Sequence, residues 1–475
     1  MTIMVKLSGR CASRDHVVPS VSWSSSEGAG PSGIGLVFMR PRGAARVPPG
    51  PDGAGPGGAW QRDAPRRLGR HRRSGQAARD LTRVPPWDHL AAMRRAAVRR
   101  APFVFALSLA ALALGAASLP LRAQQRPRHV IIGASGDVLF HTRVVEAAAA
   151  HGFDRLFAGL RETVSDREIA FANLETPLSV DREPMRGDPP RLGAPPEAAG
   201  ALARAGLDVL SVANNHAWDQ RDTGMVHTLE VLRREGIAPV GAAADEEEAA
   251  GPVIVERDGV RVAFVAFTVI LQGHPGTRRP AVRIATWDER RARRVLERAR
   301  ADADVVVASM HWGLAYRHED RSEQRSRAAF LVEHGADVVL GHGPHVLQRA
   351  ERVASPRGEA FVAYSLGNLV SNQGYHFRQG RRDRSVQLPL REPATRDGVW
   401  LRVALDVMED GRVSVSAAEA VPLWTANNWW DEERRRVDQP DIRVIPLSRA
   451  GDEALTDERR RAIGRVLGDA VHLLP

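Results

Sequence analysis

An α/β layered fold is what the sequence predicts from His129 onward, and three observations carry that expectation. Short runs rich in Val, Ile, Leu, Ala and Phe alternate with stretches of helical composition. Most runs stop abruptly at Asp, Glu, Asn or His, as IIGASGD, IAFANLE, VLSVANNH, VVVASMH and VVLGH do. Two further pairs of runs meet at Asp-Gly, at Asp258-Gly259 and Asp410-Gly411, which is hairpin chemistry. Alternation implies strands with helical crossovers, and the hairpins add antiparallel strands.

The front of the chain reads differently. Residues 1–92 are rich in Gly, Pro, Ser and Arg without apolar periodicity, and are expected to be disordered or to precede a true start at Met93. From Met93 the layout is that of a secretory signal, spanning 93–123: basic MRRAAVRR, an apolar run from Pro102 to Ala117, then Leu121-Arg122-Ala123 before Gln124. That run is shorter than the roughly 20 residues of a membrane span, so cleavage and export to the periplasm or cell surface are expected. Left uncleaved, the signal would tether the chain to a membrane.

Charge separates the same two regions. Of 67 basic and 57 acidic residues, 19 and 6 lie in residues 1–123, which leaves 48 against 51 in the body. The net charge of +10 therefore belongs to the leader. A mildly acidic body without a basic stripe interleaved with aromatics excludes nucleic acid as the partner. The single cysteine, Cys11, also lies in the leader. A metal in the body must then be held by His, Asp, Glu and Asn.

Taken in order, the body reads as a strand ending at Asp137, a helix from Arg143 to Val164, a strand ending at Glu175, and a strand ending at Asn215 and His216. The hairpin at Asp258 follows, then a helix from Trp287 to Ala301, a strand ending at His311, and a helix from Ser322 to His334. VVLGHGPHVLQ is a short apolar run that Gly341 and Pro344 stop where His342 and His345 emerge. FVAYSLGN and the second hairpin close the body at about residue 423. The extension 424–475 offers only a short helix from Asp457 to Leu467.

In open α/β sheets ligands bind beyond the carboxyl ends of the strands, where Asp137, Glu175, Asn215, His216, His311, His342 and His345 all fall. Seven such groups exceed the need of one tetrahedral ion. A two-metal centre follows, with a bridging carboxylate and a water poised for in-line attack on a phosphoryl or acyl group. Carboxylate, amide and imidazole donors without sulfur suit Mn, Zn, Fe or Mg alike. His141, His318 and His376 read as loop or solvated residues.

The ordered set GDVLFH, ANLETPL, SVANNHAWDQ, ASMHWGLAY, GADVVLGHGPHVLQ and AYSLGNLVSNQ, over residues 129–423, resembles the bacterial CapA family of capsule and poly-γ-glutamate synthesis proteins. That family is similar in turn to the calcineurin-like metallophosphoesterases. The resemblance implies a four-layer α/β/β/α sandwich of the metallo-dependent phosphatase type. It implies that Asp137 binds one metal, Glu175 takes the bridging place and Asn215 binds the other, with His311 and one or both of His342 and His345 completing the shells. His216 would protonate the leaving group, and Ser365 and Asn368 would touch substrate or support the ligands. The chain departs from the pattern at Leu139, where the phosphoesterases have the His of Asp-x-His, and at Ala315 and Asn372, where CapA relatives carry acidic residues.

Two functions follow. One is a metal-dependent hydrolase acting on a phosphoester or amide bond during synthesis of an anionic polymer, alongside a membrane synthesis complex. The other keeps the fold without the chemistry, as a polymer-binding or assembly factor.

Overall fold

The computed structural model describes residues 3–5, 127–181, 190–380, 387–429 and 439–475. The expected signal segment and all of the leader except Ile3–Val5 lie outside the described residues. Among the described residues no helix is long and apolar enough to cross a membrane.

Two sheets stack face to face. β1 (Ile3–Val5) is a short strand paired in parallel with Val253–Val255. β2 (Arg128–Val138), β3 (Glu168–Leu174), β4 (Val209–Ser211) and β5 (Ala238–Val240) run parallel in that order. β6 (Ala242–Ala243) leads out of this sheet. The second sheet opens with the hairpin of β7 (Val253–Arg257) and β8 (Val260–Thr268), turning on Asp258 and Gly259, both at positive φ. β9 (Arg283–Ile284) pairs with β6 in a separate ribbon. β10 (Val305–His311) and β11 (Val338–His342) then continue in parallel from β8. β12 (Ala350–Ser355) and β13 (Gly358–Ala363) form a second hairpin, and β13 lies parallel to β11.

The chain then returns to the first sheet. β14 (Asn368–Val370) pairs with the end of β2, β15 (Asp397–Val407) lies antiparallel to β2, and β16 (Val413–Asn427) lies antiparallel to β15. One register pair, Gly358 with Val413, joins β13 to β16 and makes the hydrogen-bonded ladder continuous. Between the sheets Phe171 of β3 stacks on Phe264 of β8, with centroids 5.7 Å apart and planes 7° from parallel. Helices Glu289–Asp302 and Ser322–Glu333 pack on the second sheet, and Glu197–Arg204 and Arg221–Arg234 cover the first. The result is the four-layer α/β/β/α arrangement.

Layering explains the sequence pattern. Every residue of β3, β10 and β11 is buried, because each strand has a helix on one face and the other sheet on the other. The helix Glu289–Asp302 buries Ala292, Val295, Leu296 and Ala299, one stripe at helical spacing, and starts where Asp288 accepts a bond from Arg291 N at 2.8 Å. Fully burying an aliphatic or phenyl side chain contributes roughly 1.5–3 kcal/mol, so this core carries most of the fold.

Three elements differ from the sequence expectation. The helix expected from Arg143 to Val164 ends at His151, because Gly152 takes φ +86 and turns the chain into single-turn segments at Phe153–Leu156 and Ala158–Arg161. The strand expected at FVAYSLGN is β13, which ends at Ala363 and is the second arm of a hairpin with β12. The extension is part of the sandwich: β16 runs through residue 423, β17 (Ile442–Pro446) pairs with it antiparallel, and β18 (His472–Leu473) in parallel. The buried Arg459 guanidinium, on helix Glu453–Leu467, pairs with Asp397 at the start of β15.

Candidate functional site

The strand ends converge on one point at the carboxyl edge of both sheets. Asp137 leaves β2, Glu175 follows β3, and Asn215 and His216 follow β4. From the opposite sheet come His311 at the end of β10, His342 at the end of β11 and His345 just beyond. Close approach of neighbouring segments at the edge of the second sheet needs small residues. A Cβ on Gly341 would lie 1.9 Å from Tyr364 O, and one on Gly343, at φ +102, would lie 3.0 Å from His311 Nε2.

Asp137 sits at the middle and is fully buried. Its Oδ1 accepts from Asn173 Nδ2 at 2.9 Å, and its Oδ2 from Gly343 N at 3.1 Å. His345 Nδ1 lies 3.2 Å from Oδ2, and His342 Nδ1 lies 3.4 Å from Oδ1. Glu175, also fully buried, places Oε1 3.6 Å from His311 Nε2 and 3.9 Å from His345 Nε2. Asp137, Glu175 and His345 each bring a donor atom within 4.8 Å of the others.

Several of these donors have no hydrogen-bond partner although they are enclosed: Glu175 Oε1, Asn215 Oδ1, His311 Nδ1, and both ring nitrogens of His342. Leaving so many polar atoms unpaired costs about 1–3 kcal/mol each. Concentrated at one point, with carboxylate, amide and imidazole chemistry, the set fits a hard or borderline divalent cation.

His345 is held in place from behind. Its φ is +58, a left-handed backbone unusual for a residue other than Gly. Asn368 Nδ2 donates to His345 O, Ser371 Oγ, Gln373 Oε1 and Thr395 O, which turns Asn368 Oδ1 toward His345 Nδ1 at 3.2 Å. Facing two acceptors, Nδ1 carries the proton, so the Nε2 lone pair is presented toward Glu175. Ser365 is fully buried, donating to Val346 O at 2.8 Å and accepting from Gly367 N. Asn368 and Ser365 thus brace the turn behind the ligands.

Electrostatics follow from this packing. Burial works against the Asp137 carboxylate, but the hydrogen bond from His345 and the adjacent His342 ring outweigh it and hold the carboxyl well below its ordinary range. Burial, reinforced by the adjacent Asp137 charge, pushes Glu175 well above its own. His311 is lowered to about 3, chiefly by burial and then by the neighbouring imidazoles. A buried cluster in which one carboxyl holds its proton and one imidazole stays neutral is ready to exchange that proton for a cation.

His216 stands beside the cluster in a pair of its own. Its Nδ1 lies 2.6 Å from Asp219 Oδ2, both side chains are buried, and Asp219 Oδ2 also accepts from Leu192 N at 2.6 Å. The carboxylate fixes the tautomer and leaves His216 Nε2 as the working nitrogen.

Sequence reasoning passed over four residues here. Asp219 lies three positions after His216 in a segment read as helix-like. Asn173 orients both carboxylates, lying 3.5 Å from Glu175 Oε2. Asn214 donates to Asn173 Oδ1 and Leu174 O. His141, read as a loop residue, accepts from Asn372 N and lies near enough to His216 and His345 that, with burial as the main cause, it is lowered to about 3. An unexplained His four residues after Asp137 was the available signal.

Comparison with known proteins places this site in context. The chain is 28% identical over 295 residues to the capsule biosynthesis protein CapA of Bacillus anthracis, covering 60% of this chain and 69% of that one. It is 26% identical over 276 residues to the PGA biosynthesis protein CapA of Bacillus subtilis, covering 58% and 72%. Among solved structures, a hypothetical protein from Thermus thermophilus overlays with a TM-score of 0.36 at 19% identity, covering 62% of this chain and 98% of that one. The NAD nucleotidase NadN of Haemophilus influenzae gives 0.38 at 11%, covering 73% and 64%. Finally, the family described as "Bacterial capsule synthesis protein PGA_cap" matches residues 131–373, just over half the chain and every candidate ligand described above, so this chain belongs to that family.

Proposed function

We propose that the protein is an exported, metal-dependent hydrolase-type enzyme of capsule or poly-γ-glutamate synthesis, acting on a phosphoester or amide bond of an anionic polymer or its precursor beside a membrane synthesis complex. The observation that carries the reading is the buried group of donors without partners, Glu175 Oε1, Asn215 Oδ1, His311 Nδ1 and the His342 nitrogens, next to the His216–Asp219 pair. Asp137, Glu175, Asn215, His311, His342 and His345 would hold a pair of divalent ions, Mn, Zn, Fe or Mg. Bound there, such ions supply Lewis acidity toward a phosphoryl or acyl oxygen and acidify water.

The chain's own groups do the rest. Asp137 and Glu175 neutralise cationic charge in a site closed to bulk solvent, where each interaction is strong. Asn368 keeps His345 in one tautomer. His216, its Nδ1–H held by Asp219, presents Nε2 to the reacting centre, and the imidazolium formed when Nε2 takes up a proton gives that proton to the departing oxygen or nitrogen. The support from relatives lies in their printed roles, capsule biosynthesis and PGA biosynthesis.

One observation favours the second reading, an assembly or polymer-binding factor. Asp137 already accepts from Asn173, Gly343 and His345, and the buried Leu139 stands where a phosphoesterase carries another His. Metal analysis of the purified full chain, with assay on bis-p-nitrophenyl phosphate and γ-glutamyl p-nitroanilide, separates the two. Bound transition metal with metal-dependent turnover is expected. Protein that carries none and gains none on soaking sinks the hydrolase reading.

A further inference from the structure

Beside the metal-ligand cluster lies an aromatic and cationic surface that takes no part in it. Three segments far apart in the chain assemble it. Arg143, in the first turn of helix Thr142–His151, sets its Cζ 5.1 Å from the ring centre of Trp429. Tyr375 packs edge-on against the same indole at 4.6 Å, and His376 lies 4.6 Å from Tyr375. All four side chains are half-buried.

Two features tie this surface to the site and to a ligand. His141 joins them: its Nδ1 accepts from Asn372 N at 3.2 Å, directly ahead of Tyr375, and Arg143 is two residues along. The surface also has unmet capacity. Trp429 Nε1–H is enclosed without an acceptor. Arg143 pairs with Glu146 at 3.1 Å, with 24% and 47% of the side chains exposed. A surface pair of this kind is worth little, so an incoming carboxylate can take its place.

We propose that Arg143, Tyr375 and Trp429 form a docking subsite for a carboxylate-bearing polymer, continuous with the metal-ligand cluster through His141. The guanidinium pairs with a carboxylate of the chain, and the rings cover its methylenes. Cation–π contact with Trp429 keeps the guanidinium in position while it exchanges partners. Only the identity of the polymer rests on the function proposed above.

Titration of the full chain with a short poly-γ-glutamate oligomer, in chelator and followed by tryptophan fluorescence and calorimetry, tests this. Chelator keeps the two readings apart: missing turnover leaves the subsite standing, and missing polymer binding leaves the hydrolase standing. Arg143→Gln and Trp429→Ala should each weaken binding about tenfold, the scale of one charged or stacking contact, with Trp429→Phe recovering most of it. Glu146→Gln, which removes one carboxylate that pairs with Arg143, should tighten binding, an effect that no purely structural role of Arg143 produces. Unchanged affinity in both weakening variants, weaker binding in Glu146→Gln, or binding of a neutral glucan in preference to polyglutamate overturns the assignment.

Discussion

His216 Nδ1 lies 2.6 Å from Asp219 Oδ2 within one turn of chain, and both side chains are buried. Asp219 is therefore a positioning residue for His216. Asp219→Asn should lower turnover by roughly 10²–10⁴, as loss of an oriented proton donor does. Metal content should stay at the wild-type level. Steady-state kinetics with parallel metal analysis checks this, and a KM effect without a kcat effect would contradict it.

Asn215 and His216 are adjacent in sequence and differ in role. Asn215→Ala removes an unpaired amide oxygen and should reduce metal occupancy together with turnover. His216→Ala should abolish turnover and leave occupancy intact. Both variants should melt cooperatively, near the wild-type temperature when compared in chelator.

Binding of a cation should release a proton. Burial and the Asp137 charge raise Glu175 well above its ordinary value in the metal-free protein, so it holds its proton to higher pH, and a proton held there must leave when the carboxylate becomes a ligand. Affinity therefore rises with pH. Calorimetry in buffers of different ionisation enthalpy should show release of about one proton per Glu175 engaged, and Glu175→Gln should lose it.

The metal-free protein should weaken in mild acid. His311 is lowered to about 3 from an ordinary 6.5, so between those values the unfolded chain binds the extra proton. The stability it contributes is complete above pH 6.5 and declines toward pH 3. Glu175 acts with the opposite sign, because its raised value lets the folded state bind the proton. The slope is therefore best read in Glu175→Gln, by thermal melts from about pH 7 to about pH 4.5. His311→Gln in that background should flatten it.

Arg459 and Asp397 form a buried pair that ties the C-terminal helix to β15. Arg459→Ala should cost about 3–5 kcal/mol, since Asp397 is left as an uncompensated buried charge. Denaturant melts measure it. A loss under about 1 kcal/mol would mean that solvent reaches Asp397.

Much of this architecture was legible in the sequence, because a parallel strand buried on both faces is a continuous apolar run that must end at a turn. Asp137, Glu175, His311 and His342 stand at such ends and could be found one run at a time. The supporting groups could not. Asn173 is a polar residue in an apolar run, but its place 2.9 Å from Asp137 is not written in the sequence, and Asn368, which only the resemblance singles out, acts on His345 from 23 positions away. The tail gave little for the same reason. β17 gains its partner only when β16 is already in place, and Arg459 finds Asp397 across 62 residues. Gly152 illustrates a different failure: helical composition continues past it, and only its backbone angle shows the break.

The two sheets share a single rung of backbone ladder between β13 and β16, at Gly358 and Val413. The candidate ligands are divided between them, with Asp137, Glu175 and Asn215 on one side and His311, His342 and His345 on the other. A cation held by both sets is a rivet through the open edge of the sandwich. Its binding energy would appear in the melting temperature as well as in any rate, growing with the logarithm of metal concentration. A descendant that lost turnover would still have a mechanical reason to keep all six side chains, so retention of the candidate ligands alone would speak for clamping before it spoke for catalysis.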